Sequence, residues 1–207
     1  MKNHEEQLAA IQEMRDLMDQ ASQFKSISGL SGILAGFLSL ICIYVTYLLT
    51  GISLLDSEAL ERIWHSQDQV WVISLFGLLV GACVSIGIFM AVRKARNVGR
   101  PIWDHAAKRL FFSLAIPVLV GGFFSLLLLR LGLVSLLAPV TLLFYGMGLL
   151  NSSKYTLRAV QTVGFLFILL GLLATACLEY GLLIWTMGFG LVHIVYGFII
   201  YIRYERA

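Results

Sequence analysis

Residues 70–109 read VWVISLFGLLVGACVSIGIFMAVRKARNVGRPIWDHAAKR and divide into two contrasting parts. The first part, residues 70–92, contains no Asp, Glu, Lys or Arg. It is long enough to cross the hydrocarbon core of a bilayer, which takes about 20 residues of helix. The second part, residues 93–109, holds six of the fifteen Lys and Arg residues of the chain. A long uncharged run followed by a short basic segment is the pattern of a membrane span and its loop.

The rest of the chain repeats this pattern. Of its 207 residues, 59% are hydrophobic and only 13% are charged, a composition far outside that of soluble domains. Runs of sufficient length cover residues 28–50, 70–92, 110–130, 133–150, 159–178 and 181–202. We therefore predict an all-α polytopic membrane protein, a six-transmembrane-helix bundle over residues 28–202 with a cytoplasmic tail at 203–207.

The positions of Lys and Arg predict how the bundle is oriented. When the N-terminus, the loop 93–109, the loop 151–158 and the C-terminus are placed on one side, that side holds thirteen of these residues. The other side holds two. Cytoplasmic loops carry an excess of Lys and Arg. We expect a multi-pass membrane protein with both termini in the cytoplasm.

The basic loop raises a question of partners. Its cationic residues are Arg93, Lys94, Arg96, Arg100, Lys108 and Arg109. Orientation of the spans and contact with anionic lipid headgroups account for this charge, and protein docking stays open as a second role. Nucleic-acid binding is not expected, because a single tryptophan, Trp103, offers no stacking platform and no folded module is present.

An amphipathic cytoplasmic helix is predicted over residues 1–27. Placed at helical intervals, its apolar residues share one arc, and four of its five acids, Glu5, Glu13, Asp16 and Asp19, lie opposite. The segment carries five acids against three bases, whereas membrane-surface helices usually carry Lys and Arg on the polar face. We hypothesise that it packs on the basic loop 93–109, on the same loop in a second copy of the chain, or on a cytosolic regulatory protein. The alternative is an interfacial helix that only orients the first span.

Small residues recur at helical spacing in the predicted spans. The clearest sets are Gly32 and Gly36, Gly77 and Gly81, and Gly190 and Gly197. Apolar helices in lipid associate where small residues let their backbones approach closely. These stripes predict one compact bundle, with close hairpins between the third and fourth spans and between the fifth and sixth.

Polar side chains within the spans are candidate sites. His193 is the one ionisable residue near the middle of a span, with Gln161 and Thr186 as further polar candidates. The interpretation of His193 stays open between a hydrogen-bonded neutral structural residue and a functional one, either a ligand contact or a proton-sensitive group. At the outer edge, Arg130 and Glu179 are positioned to form an ion pair.

The sequence contains none of the catalytic patterns that we sought. There is no intramembrane acid pair, no HExxH, no GxSxG and no phosphate-binding glycine loop. The three cysteines, Cys42, Cys83 and Cys177, lie within predicted helices and suggest neither a disulfide framework nor a metal knuckle. We expect no enzyme activity, no cofactor and no metal.

Three segments carry a resemblance to a known family. SQFKSISGLSGILAGF, RKARNVGRPIWDHAAKR and WTMGFGLVHIVYGFIIYIRYER together resemble an uncharacterised family of six-helix inner-membrane proteins from Bacteroidetes-type bacteria. The resemblance implies a six-helix inner-membrane protein with a cytosolic regulatory partner. It implies no activity.

The expected function is association rather than chemistry. We predict a non-enzymatic regulatory component of the membrane that uses residues 1–27 and 93–109 as its cytosolic face. The alternative is a small-molecule transporter or permease with a site near His193. An integral membrane enzyme acting on a lipid or a quinone is the least favoured, because no acid or nucleophile is placed for it.

Overall fold

The structure, a computed structural model, describes Gln7 and residues 28–56, 58–97, 103 and 105–204. All regular structure in these residues is helical, which confirms the predicted all-α fold. The α-helices are α1 (Gly29–Thr50), α2 (Ala59–His65), α3 (Gln69–Asn97), α4 (His105–Arg130), α5 (Leu137–Ser152), α6 (Arg158–Ala176), α7 (Gly181–Thr186) and α8 (His193–Tyr204). Short 3-10 turns precede α5 at Val134–Leu136, follow it at Ser153–Tyr155 and precede α7 at Leu178–Tyr180.

Among the described residues, six helical stretches are long and apolar enough to cross a membrane, which is the number predicted. They are α1, α3, α4, Val134–Tyr155, α6 and Leu178–Arg203, here called spans 1 to 6 in chain order. Span 6 is not one regular helix, because a π-helical segment at Met187–Val192 separates α7 from α8. The predicted amphipathic helix over residues 1–27, Gln7 apart, and residues 205–207 of the predicted tail lie outside the described residues.

The six spans form a bundle in which span 6 is the connection between two sets of helices. Span 4 packs extensively on both span 3 and span 5, and these three are called the 3–5 group. Span 1 packs on span 2 and on span 6, and spans 1 and 2 are called the 1–2 pair. Spans 2 and 3 are peripheral, since each has one principal neighbour.

Glycines on spans 1 and 6 let the two backbones touch, as the sequence predicted. A Cβ atom on Gly197 would lie 2.5 Å from the backbone nitrogen of Ile33 and 2.6 Å from the backbone oxygen of Gly29. A Cβ atom on Gly36 would lie 2.7 Å from the backbone oxygen of Gly190. Gly32 also faces Gly197 across this contact. Larger residues would force the two helices apart.

Gly77 and Gly81 of α3 depart from the same prediction. Nothing lies within 4 Å of a Cβ atom placed on either residue, so neither glycine mediates packing within the described chain. The reason is rotational phase: α3 turns its buried residues Val72 and Leu79 inward, and the two glycines lie on the opposite face of the helix. The hydrophobic residues, rather than the glycines, decide which side of α3 meets span 1.

The two predicted hairpins differ in how closely they pack. Spans 3 and 4 form a close pair that turns at Gly132, whose φ of 72° is in the left-handed region that glycine tolerates. Spans 5 and 6 are also joined by a short connection, but only α7, the π segment and His193, in the first part of span 6, pack on span 5. Beyond α7, span 6 turns to span 1, so the second hairpin closes over part of its length.

Candidate functional site

His193 lies at the centre of the bundle, at the first residue of α8 and directly after the π segment. Its side chain is buried. The ring atom Nε2 lies 2.9 Å from the hydroxyl oxygen of Tyr145 on α5. The other ring nitrogen, Nδ1, lies 3.3 Å from the backbone oxygen of Gly188 in the π segment. His193 therefore bonds α8 to the π segment within span 6, and it also bonds span 6 to span 4.

The partner of Nδ1, together with the burial of the ring, assigns the tautomer of His193. A backbone carbonyl can only accept, so Nδ1 carries the proton and donates to Gly188. In the neutral ring Nε2 is then an acceptor, and the Tyr145 hydroxyl donates to it. The ring is a neutral, fully hydrogen-bonded histidine in a buried position, where a charge would be costly.

Aromatic rings surround this pair. The ring of Phe189 stacks on His193 with an interplanar angle of 12°, and Phe167 of α6 meets His193 edge-on at 5.2 Å between ring centroids. Tyr145 and Trp185 pack against the same cluster. The cluster joins spans 4, 5 and 6 around one hydrogen-bonded pair.

The other predicted polar residues do not join His193. Thr186 is buried, but its hydroxyl donates to the backbone oxygen of Leu182 in its own helix at 2.8 Å. Gln161 is exposed near the start of α6. The three candidates therefore do not form one hydrogen-bonded polar site.

Sequence reasoning missed the two side chains that bond across helices in this region. Tyr145 reaches His193, and the indole nitrogen of Trp185 donates to the Thr141 hydroxyl at 3.2 Å. Both missed residues are aromatic residues in apolar runs, where they look like core. Their polar ends were the available signal, because a buried Tyr or Trp usually needs a hydrogen-bond partner.

The end of the bundle formed by the loop 51–68 and the connections before spans 4 and 6 is called the acidic end. Its described ion pair joins Arg62 to Asp56, and the predicted pair of Arg130 with Glu179 is not formed, both residues being exposed. The hydrogen bond from Arg62 holds the pKa of the Asp56 carboxyl below its usual value. The Ser135 hydroxyl donates to Glu61 at 2.9 Å, which attaches the first loop to the start of span 4.

Two of the clefts in the described part of the molecule stand out, and neither is lined by His193. One, with an enclosed volume of only about 10 Å³, lies at the acidic end and includes Glu58, Glu61 and Glu179 in its lining. The other, of about 250 Å³, is an open apolar cleft between spans 1 and 2 lined by Leu49, Trp71, Ser74, Leu75 and Leu78. The described residues contain no group of three or more His, Cys, Asp or Glu side chains able to hold a metal ion.

The opposite end of the bundle is called the basic end. Its described charges are Arg93, Lys94, Arg96, Lys108, Arg109, Lys154, Arg158 and Arg203. Every acid among the described residues lies instead at the acidic end. Arg100 and most of the loop that holds it, residues 98–102, lie outside the described residues. The two ends of the bundle thus carry opposite charge.

Comparisons with known proteins add no information about function, so the function is inferred from the geometry described above. No family model, no curated protein and no solved structure matches the chain.

Proposed function

We propose that this chain is a non-enzymatic multi-pass protein of a bacterial inner membrane that acts by associating with other membrane helices through span 2. The carrying observation is the open glycine face of α3, formed by Gly77 and Gly81, against which no other part of the described chain packs. Between spans 1 and 6 and between spans 4 and 5 of the same bundle, glycines such as Gly197 and Gly164 lie where two backbones meet. A second such face on a peripheral helix is suited to a helix from outside the chain.

The surroundings of the two glycines support this role. Ser74 and Ser85 continue the stripe at helical spacing, and the Ser85 hydroxyl donates to the backbone oxygen of Gly81 at 2.7 Å. This bond satisfies the hydroxyl within its own helix, so the stripe presents small groups and no unpaired polar atom at Ser85. Val84 and Ile88 flank it and are exposed. Such a surface packs against a helix more closely than a leucine-covered surface can.

The charge distribution supports the proposed orientation. Eight of the ten described Lys and Arg residues lie at the basic end, together with no described acid. An excess of Lys and Arg is typical of cytoplasmic loops, so we assign the basic end and both termini to the cytoplasm. The loop 93–109 would then stand beside residues 1–27 as a cytosolic face. Membership of the Bacteroidetes-type family and a cytosolic regulatory partner on this face belong to the same proposal.

No observation gives comparable support to transport through a site at His193. Both ring nitrogens of His193 already have partners within the chain, and aromatic rings pack around the side chain. A ligand there would have to break the bond with Tyr145 before it could bind.

The test is native mass spectrometry of the protein extracted gently from its own membrane, comparing wild type with the double variant Gly77→Ile, Gly81→Ile. A Cβ atom at either position meets nothing in the described part of the chain, so the variant should fold, whereas the two isoleucine side chains would push a partner helix away. We expect the apparent Kd of the associated species to rise by at least about tenfold.

Gly122→Ile is the matched control, because Gly122 of span 3 is equally open but lies on a different helix. It should leave the association unchanged. A wild-type protein that is released as a lone subunit, or an association that survives in the double variant, would refute the proposal.

A further inference from the structure

Span 6 changes its packing partners along its length. Its first part, α7, belongs to the 3–5 group: Trp185 donates to Thr141 on span 4, and Gly181 lies beside Ala138. Its last part, α8, lies on span 1 through Gly197. The change of partner coincides with the π segment Met187–Val192. This short segment therefore joins the 3–5 group to the 1–2 pair.

The π segment sets the rotation of α8 relative to α7. A π turn accommodates an extra residue, so it rotates the following helix by about 100° relative to an uninterrupted α-helix. With this rotation Gly197 faces Gly29 and Ile33 of span 1. Without it, a larger neighbour such as Tyr196 or Phe198 would come closer to that contact, where even one Cβ atom does not fit. Span 1 can therefore pack closely on α8 only in the π register.

His193 is placed to hold the π register. Its Nδ1 donates to the carbonyl of Gly188, five residues earlier and inside the π segment. Its Nε2 accepts from Tyr145, which fixes the ring on span 4. One side chain thereby bonds the loosened turn and the neighbouring helix at once. π segments are rare and are frequently found at functional sites.

We propose that the His193–Tyr145 hydrogen bond is a latch on a conformational switch in span 6. While the latch is closed, the π register keeps α8 seated on span 1. When the latch opens, the π segment relaxes towards α-helix and α8 rotates. The close contact between α8 and span 1 of the 1–2 pair is then lost. The inference does not depend on the association proposed above, which uses the face of span 2 that points away from span 1.

The test is hydrogen–deuterium exchange of the purified full chain in detergent micelles, comparing wild type with Tyr145→Phe. This substitution removes one oxygen and leaves the ring packed against Phe167 and Phe189. We expect backbone amides in residues 29–40 of span 1 and 190–200 of span 6 to exchange about 3- to 15-fold faster, the range that one interhelical hydrogen bond in a membrane protein supports. Residues 160–171 of span 5 should exchange as before.

Tyr44→Phe is the matched control, because it makes the same chemical change at an exposed position of span 1. It should have no effect. His193→Asn is the second variant and should accelerate the same two segments. Faster exchange confined to residues 187–193 would show a local contact without a switch. Faster exchange in span 5 as well would show general loosening, and either result, or no change in both variants, would overturn the proposal.

Discussion

Two glycine pairs with the same spacing, Gly32 and Gly36 on span 1 and Gly77 and Gly81 on span 2, have opposite environments. The first pair is covered by span 6, with backbone against backbone, and the second pair faces outward with no described residue within 4 Å of an added Cβ atom. The difference lies in the hydrophobic residues around each pair, because these fix which side of a helix turns inward. A GxxxG pattern therefore indicates that close packing is possible, and the phase of the helix decides whether the partner is in the same chain.

The largest effect should come from placing a branched side chain in the occupied contact. For Gly197→Ile we expect a loss of more than about 3 kcal/mol in the free energy of unfolding, because the new Cβ meets the backbone of span 1. Gly81→Ile is the control and should change it by less than about 0.5 kcal/mol. Unfolding in detergent micelles, followed by circular dichroism at high dilution, measures both. Equal losses would mean that the open face of α3 is covered within the chain.

A smaller change sharpens the same contrast. Gly36→Ala adds one methyl group that would lie 2.6 Å from Cγ1 of Ile194 and 2.7 Å from the Gly190 backbone oxygen. We expect a loss of about 1–3 kcal/mol. Gly77→Ala should be neutral or stabilising by up to about 1 kcal/mol, since alanine is the better helix former. The same unfolding assay compares the two variants, and a destabilised Gly77→Ala would contradict the assignment.

Two threonine hydroxyl groups allow a third comparison. One takes part in a hydrogen bond that joins two helices, and the other bonds within its own helix. Thr141→Val removes the acceptor of the Trp185 indole on another helix, and Thr175→Val removes a hydroxyl that bonds only to Gly171 of its own helix. We expect a loss of about 0.6 kcal/mol, and no more than about 1.7 kcal/mol, for Thr141→Val. Thr175→Val should cost less. A reversed order of the two losses would show that the Trp185 bond does not join spans 4 and 6.

The smallest effect concerns the two arginines of the acidic end, of which Arg62 is paired and Arg130 is exposed without an ion pair among the described residues. Arg62 keeps the pKa of Asp56 below its ordinary value of 3.8. The contribution of this pairing to the stability of the folded state is therefore present above pH 3.8, and it is lost as the pH falls through the lowered pKa of Asp56. In Arg62→Gln the pKa of Asp56 should rise towards the ordinary value.

Carbon-13 NMR titration of the Asp56 carboxyl measures this change. Arg130→Gln is the control and should leave the titration of Asp56 where it is in wild type. A rise in the pKa of Asp56 in both variants, or in neither, would mean that the general charge of the acidic end controls this carboxyl rather than its pairing with Arg62.

The candidate site was predicted in part. His193 was identified from sequence as a buried inward-facing residue because an ionisable group in an apolar run is rare. Tyr145 was not, although it provides the partner of His193, because the two are 48 residues apart and meet only through the packing of span 6 on span 4. The prediction of an ion pair between Arg130 and Glu179 was wrong, because two charged side chains at neighbouring helix ends need not point at each other. Arg62 found Asp56 within its own loop.

The sequence by itself determined the number of long apolar helices, their ends to within about five residues and the concentration of Lys and Arg in alternate connections. These are properties of contiguous segments, since a span depends on the hydrophobicity of its own residues. Only the tertiary structure decided which glycines are covered, which helix His193 bonds and where span 6 leaves the α-register. These features depend on the rotation of each helix relative to its neighbours, and that rotation is set jointly by residues far apart in the chain.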